Sequence, residues 1–448
     1  MGRSAHTGLP SWATCATLHL MYLTQISLTN FRNYTRLSMD LSQSISILQG
    51  ANAQGKTNFL EAVYYLAIAR SPYAGSDAQL VNWLAANDDL PYARIVADLA
   101  RASGTSHIEI TLTQNTNGQS SFRKHIRVNG VPKRAVELLG CANIVLFVPQ
   151  DITLIDGSPA GRRRYLNTVL CQTDARYCHT LAHYNHVLEQ RNHLLRTLRD
   201  RGGKTNQLDF WNDELAHTGA QLIASRQAAV IDLEVLAQPV HLDLSGGQER
   251  LRLRYLPSFD PHRPEGPELQ MSLDLALPPQ ASLPQDPGTI CQAFLRALHA
   301  LQATEIQRGM CLVGPHRDDL RFYDGQVDLH AFGSRGQQRT TVLALKLAEV
   351  SMMKRVTGEQ PILLLDEVMS ELDWYRRRYL CAQLLQVEQA LVTTTDLGAL
   401  MPDLLQRATV YHVSQGRLEH MDPEHRADRL DGTPLPSRDP IPRGGLAL

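Results

Sequence analysis

No run of the 448-residue chain approaches the roughly 20 consecutive apolar residues that a membrane-crossing helix needs, so no membrane partner is expected. Charge of one sign is also missing. The 44 basic residues meet 45 acidic ones, a net of -1, and no global field draws the chain to nucleic acid or to a lipid surface. Any such partner must be met by a local patch. The seven cysteines are odd in number and include no C-x-x-C pair, which points to reduced thiols and a cytoplasmic setting. There is no internal repeat, and no heptad pattern long enough for an extended coiled coil. The length exceeds what one core fills, so two lobes are expected.

The ends read as accessory. Pro10 and His19 interrupt the apolar stretch near the start and no A-x-A site follows, so residues 1–20 are expected to be a disordered extension rather than a signal peptide. Pro423, Pro434, Pro436, Pro440 and Pro442 make 421–448 an expected disordered tail.

Between them the pattern is specific. Apolar residues alternate from Tyr22 to Leu28, and after Phe31-Arg32-Asn33-Tyr34 a second strand runs through Ile45, Ile47 and Leu48 into Gly50. Gly50-Ala51-Asn52-Ala53-Gln54-Gly55-Lys56-Thr57 then matches G-x-x-x-x-G-K-[ST], and Asn58 to Ala69 carries Phe59, Leu60, Val63, Tyr64 and Leu66 at helical spacing. Strand, loop and helix in that order predict a phosphate-binding loop for ATP. Backbone N–H groups point at phosphate oxygens, Lys56 contacts the β and γ phosphates, and Thr57 offers its hydroxyl to Mg²⁺. Strands over 92–99, 107–113 and 122–131, the last with an Asn129-Gly130 turn, predict a small antiparallel sheet beside the nucleotide. A mainly helical lobe follows. Prolines crowd 257–288, with a candidate strand over 271–277, and helix resumes at 289–307.

Far downstream, Pro361-Ile362-Leu363-Leu364-Leu365-Asp366-Glu367 reads as a buried strand ending in two carboxylates, a Walker B strand. Asp366 would hold magnesium and Glu367 would polarise the attacking water. The Asp-Glu pair, followed by Ser370-Glu371-Leu372-Asp373, resembles the ABC-type ATPases and their D-loop. That family expects a signature helix. Leu244-Ser245-Gly246-Gly247-Gln248 spells the transporter signature, but Leu251, Leu253 and Tyr255 alternate with arginines after it, so it reads as a turn leading into a strand. Gly333-Ser334-Arg335-Gly336-Gln337-Gln338-Arg339 is the better candidate, because Thr341–Met353 follows in helical register. Ser334 and Gly336 can then present amides to a phosphate, with Gln337 and Arg339 beside them. In ABC-type heads this surface covers the ATP of the opposite subunit, which implies an ATP-dependent homodimer. Val148-Pro149-Gln150-Asp151 resembles a Q-loop, whose Gln150 would reach the magnesium and the water. Thr395 and Asp396 stand where a transporter has its switch histidine; that missing histidine weighs against the alternative of a transporter's nucleotide-binding subunit. An SMC-like structural or nuclease-type ATPase is a further alternative, lacking the coiled coil or nuclease domain it would need.

Over 21–420 the chain resembles the RecF family of bacterial recombination-repair ATPases. The resemblance is carried by Asn30–Tyr34, Gly50–Asn58, Phe147–Asp151, Gly157–Arg164, Gly314-Pro315-His316-Arg317-Asp318-Asp319 and Ser334–Arg339. It implies an α/β P-loop NTPase of the ABC/SMC-head type with an inserted, mainly helical second lobe. Lobe I would comprise 21–150 and 341–420, and lobe II 151–340 with the signature. It further implies Arg32 near the base and phosphates, closure of two copies on gapped or duplex DNA near single-strand junctions, and work with RecR and RecO in directing RecA. DNA contact would use Arg123, Lys124, Arg127, Lys133 and Arg134, or Arg162–Arg164, provided they share a face; Arg376–Arg378 read as helical surface or dimer contacts. His179, His183 and His186 share a helix face without a Glu or Cys to complete a metal shell, and read as surface or packing residues.

Overall fold

The computed structural model describes residues 21–85, 91–115, 122–260 and 286–421. The expected extension 1–20, nearly all of the expected tail and the candidate strand over 271–277 lie outside them. The strands are β1 (Met21–Phe31), β2 (Tyr34–Asp40), β3 (Ile45–Gln49), β4 (Tyr92–Arg101), β5 (Gly104–Gln114), β6 (Phe122–Val128), β7 (Val131–Lys133), β8 (Ile144–Phe147), β9 (Leu251–Leu256), β10 (Asp319–Asp324), β11 (Val327–Asp328), β12 (Ile362–Asp366), β13 (Ala390–Thr394), β14 (Ala408–Ser414) and β15 (Arg417–His420).

A central sheet of order β15-β14-β3-β13-β12-β8 is parallel except at its β15 edge. Its inner strands are apolar on both faces because helices cover both. Strand periodicity divides them between two cores. Ile45, Ile47, Val145, Phe147, Leu363, Leu365 and Val392 face a core shared with the second lobe and the helix Arg335–Thr357. Leu48, Ile144, Leu146, Leu364 and Leu391 face the helix Lys56–Ile68 and a six-stranded antiparallel sheet of order β2-β1-β4-β5-β6-β7. The α/β P-loop architecture is therefore as expected. β2, β8 and β10 do not stand out in the sequence: β2 is short and mostly polar, and β8 and β10 have only four and six residues.

The second lobe packs the helices Pro159–Thr173, Ala175–Arg201, Asp209–Leu244 and Pro287–Arg308, and it carries a small sheet, β11-β10-β9. The turn Ser245–Gly247 links the long helix to β9, so the transporter-like pentapeptide is a helix end followed by a turn, as its alternation indicates. Two buried arginines of this lobe are paired with carboxylates. Arg191 meets Glu305 at 2.6 Å with both side chains sealed from solvent, and Arg162 meets Asp319 at 2.7 Å. Such pairs are costly to bury and costlier to break from one side.

Candidate nucleotide site

β3 delivers the chain into the glycine loop against β13, where Gly50 N–H donates to Thr394 O at 3.3 Å. A Cβ on Gly50 would come within 2.3 Å of Val413 O, so only glycine fits. Gly55 turns at φ +117 into the helix Lys56–Ile68, and a Cβ there would lie 2.6 Å from Asn33 Nδ2. The turn after β1 braces the loop from behind. Asn33 Nδ2 donates to Gln54 O at 2.9 Å, the Tyr34 hydroxyl to Gly55 O at 2.9 Å, and Asn58 Nδ2 to Asn33 Oδ1 at 2.7 Å. Gln54 is held from the other side, its Oε1 accepting from Gln415 N at 2.8 Å. Ala51, Asn52 and Ala53 are exposed, and the helix that begins behind them has no acidic residue in its first turn, the arrangement that favours an anion.

Lys56 is buried, and its Nζ donates to Gly50 O at 2.7 Å and Ala51 O at 3.0 Å. It also lies 3.0 Å from Glu367 Oε1, an ion pair without hydrogen-bond alignment, since that oxygen has no hydrogen-bond partner. Glu367 sits at φ 55, a left-handed backbone unusual for glutamate, and its N–H donates to Thr393 Oγ1 at 2.9 Å. Asp366 Oδ1 accepts both the Thr57 hydroxyl at 3.0 Å and the Thr393 hydroxyl at 2.8 Å, while its Oδ2 accepts the Tyr73 hydroxyl at 2.8 Å. Thr57 and Asp366 thus offer hard oxygens at one point beside the loop, a donor set suited to Mg²⁺.

The other expected site residues make hydrogen bonds elsewhere in the chain. Arg32 does not face the loop; Nε and Nη2 grip Glu61 at 2.7 Å each and Nη1 donates to Gln79 O at 2.9 Å. Gln150 lies on a short 3-10 turn, its carbonyl accepting from Thr153 Oγ1 at 2.8 Å, and no hydrogen bond among the described residues joins it to Thr57, Asp366 or Glu367. Ser334 caps the helix Arg335–Thr357 reciprocally with Gln337, Oγ accepting Gln337 N at 3.2 Å and Gln337 Oε1 accepting Ser334 N at 2.9 Å. The N–H groups of Arg335 and Gly336 remain at the helix end, while the Gln337 side chain is spent on the cap. Asp373 caps the helix Trp374–Leu384 and pairs with Arg376, which also donates from Nε to Thr340 Oγ1 at 2.9 Å and from Nη2 to Gly336 O at 3.5 Å. Asp396 caps a turn by accepting Gly398 N at 2.8 Å, so Thr393, one β-bridge from Asp366, is the residue of that strand that touches the carboxylates. His183 Nε2 lies 3.0 Å from Glu214 Oε2 on the neighbouring helix.

A cleft of about 650 Å³ opens between the lobes, with Gln150, Asp151, Arg163, Arg164, Lys346 and Glu349 among its lining. Burial pushes the Asp151 carboxyl up from 3.8 to about 6, against the pull of Lys346 and the Val148 amide. Its folded value lies above its unfolded one, so stability is greatest below about pH 4 and is lost as pH rises through about 6. Asp151→Asn should therefore stabilise the fold more at pH 8 than at pH 4.5, the difference being on the order of 1 kcal/mol once water in the open cleft is allowed for. Thermal melts at the two pH values measure it; equal shifts would contradict it.

Tyr73, Thr393, Asn33 and Tyr34 belong to the site and do not stand out by type or spacing. Asn33 and Tyr34 fall inside the singled-out Asn30–Tyr34 segment, but their role depends on how β1 and β2 fold back over the loop, and that of Thr393 on strand register.

Comparison with known proteins bears on the family and the fold. The family model for the RecF/RecN/SMC N-terminal domain matches residues 22–417. The DNA replication and repair protein RecF of Chloroflexus aurantiacus is 40% identical over 409 residues, covering 89% of this chain and 99% of that protein, and RecF of Geobacillus thermodenitrificans is 37% identical over 397 residues, covering 88% and 98%. A solved structure of the recombination mediator protein RecF-ATP in the RecFOR pathway superposes with a TM-score of 0.77 at 28% identity, covering 91% of this chain and 100% of that one. By the family model's match to residues 22–417 and 40% identity over nearly the whole of a named relative, the chain belongs to the RecF family of DNA replication and repair proteins.

Proposed function

We propose that this chain binds ATP with Mg²⁺ and uses it as a switch for engaging DNA in recombinational repair. Two copies close over two nucleotides, the pair engages gapped or duplex DNA near a single-strand junction, and with RecR and RecO it directs RecA there; slow, DNA-stimulated hydrolysis releases it. The convergence of Lys56 Nζ, Thr57 Oγ1, Asp366 and Glu367 at one glycine loop carries the reading. Lys56 exchanges Glu367 for phosphate oxygens, and Thr57 and Asp366 hold the metal. Mg²⁺, when bound, neutralises charge on the phosphates. Glu367 takes a proton from water as the water oxygen bonds to the γ-phosphorus and the bond to the β–γ bridging oxygen breaks, leaving ADP and phosphate. Closure by a second copy is supported by the signature end of the molecule. Ser334–Gly336 makes no hydrogen bond to its own glycine loop among the described residues, and Phe332 and Trp374 stand beside it 70% and 58% exposed.

For DNA the β6–β7 hairpin is the favoured surface. Arg123, His125 and Arg127 alternate along the exposed face of β6, and Lys133 and Arg134 follow. Lys124 points the other way, donating to Ala69 O and pairing with Asp77 at 3.2 Å, and Arg162 is buried on Asp319. Arg123→Glu with Arg127→Glu should weaken DNA binding about 10-fold or more at low salt and flatten the salt dependence by about two counterions. Fluorescence anisotropy on gapped duplex, single strand and blunt duplex, each with and without ATP, tests the switch. Tightest binding to gapped duplex with ATP is expected, and equal weak binding throughout would overturn the reading.

A further inference from the structure

Asp366 is engaged more fully than its motif explains. Thr57 and Thr393 share its Oδ1, while Oδ2 is held by Tyr73, a residue beyond the end of the glycine-loop helix. Tyr73 is 39% exposed, yet its hydroxyl reaches inward to Asp366 Oδ2 at 2.8 Å. The turn that carries it is pinned by Ser71 Oγ, which accepts the N–H of Tyr73 at 2.9 Å and of Ala74 at 2.7 Å and donates its own proton to Glu61 Oε1. Glu61, 1% exposed within the glycine-loop helix, is in turn gripped by both prongs of Arg32. A buried carboxylate is costly to keep for packing alone. Its partners here lie on two segments, the turn after β1 and the turn that ends in Tyr73.

We propose that Tyr73 is a positioning residue for the metal carboxylate, and that the chain Arg32–Glu61–Ser71 sets where its hydroxyl stands. Tyr73 holds Oδ2 on its own side and so keeps Oδ1 on the side of Thr57, where the two oxygens can serve a magnesium ion together. The hydroxyl donates to Oδ2 at 2.8 Å, so it fixes that oxygen by direct contact. Partners of this kind orient a metal-binding carboxylate, and losing one commonly weakens metal affinity by about 10–100-fold. Arg32, expected beside the nucleotide, then acts on the metal through Glu61 instead.

The inference rests on the proposed ATP·Mg²⁺ site. It is tested by binding of a fluorescent N-methylanthraniloyl-ATP to the full chain across a Mg²⁺ titration and in EDTA. Tyr73→Phe should raise half-saturating Mg²⁺ about 10-fold and leave metal-free affinity unchanged. Glu61→Gln should shift it the same way, and the double variant should not exceed Tyr73→Phe, because both act through one hydroxyl. An unaltered Mg²⁺ dependence in Tyr73→Phe, or equal loss with and without metal, overturns the proposal while leaving the nucleotide site standing. Failure of the unmodified chain to bind the analogue in a Mg²⁺-dependent way overturns both.

Discussion

Glu367→Gln should stop ATP turnover while leaving nucleotide binding intact. Glu367 is the group proposed to take the proton of an attacking water, and removing a positioned base lowers such rates by about 10²–10⁴-fold. The same side chain pairs with Lys56 at 3.0 Å before nucleotide arrives. Because Glu367 is 27% exposed, that pair is worth on the order of 1 kcal/mol or less, so its removal should tighten ATP by no more than a few-fold. With binding kept and release blocked, the ATP-bound pair should accumulate, visible as a dimer by sedimentation velocity. Turnover within tenfold of the unmodified chain, or a monomer at saturating ATP, would contradict the assignment.

A mixing experiment gives the second large effect. Lys56→Ala removes the cation that meets the β and γ phosphates, and Ser334→Arg puts bulk and charge at the cap of the signature helix. Each variant alone should be inactive. If each nucleotide is held by the glycine loop of one copy and the signature of the other, a mixed pair contains one site bearing both lesions and one bearing neither. Mixing equal amounts should then restore about a quarter of normal DNA-stimulated turnover, since half of the pairs are mixed and each carries one good site out of two. If loop and signature of one copy served the same nucleotide, mixing would restore nothing. A coupled phosphate-release assay distinguishes the two.

Much of this architecture was legible in the sequence, and the reason is local. The glycine loop, its flanking helix, the apolar Asp366 strand and the cap at Ser334 are specified by residues close together in the chain, where spacing reports conformation directly. Roles that depend on folding over long separations were not legible. The family resemblance implied Arg32 near the base and phosphates, and nothing local in the sequence announces its contact with the buried Glu61, 29 residues on. Arg162, Arg163 and Arg164 looked like one basic patch, yet helical rotation seals Arg162 on Asp319 and leaves Arg164 outside. Tyr73 and Thr393 meet Asp366 across 293 and 27 residues, one through a pinned turn and the other through strand register.

Arg376 ties the helix after the Walker B strand to the start of the signature helix, through Gly336 O and Thr340 Oγ1. In the proposed closed pair, the element after one copy's Asp366–Glu367 carboxylates is thereby tied to the element proposed to cover its neighbour's nucleotide. Filling one site in a closed pair then prepares the other, and occupancy should rise steeply with ATP, with a Hill coefficient approaching two. A pair that closes as proposed would then answer a change in ATP more steeply than two independent sites do.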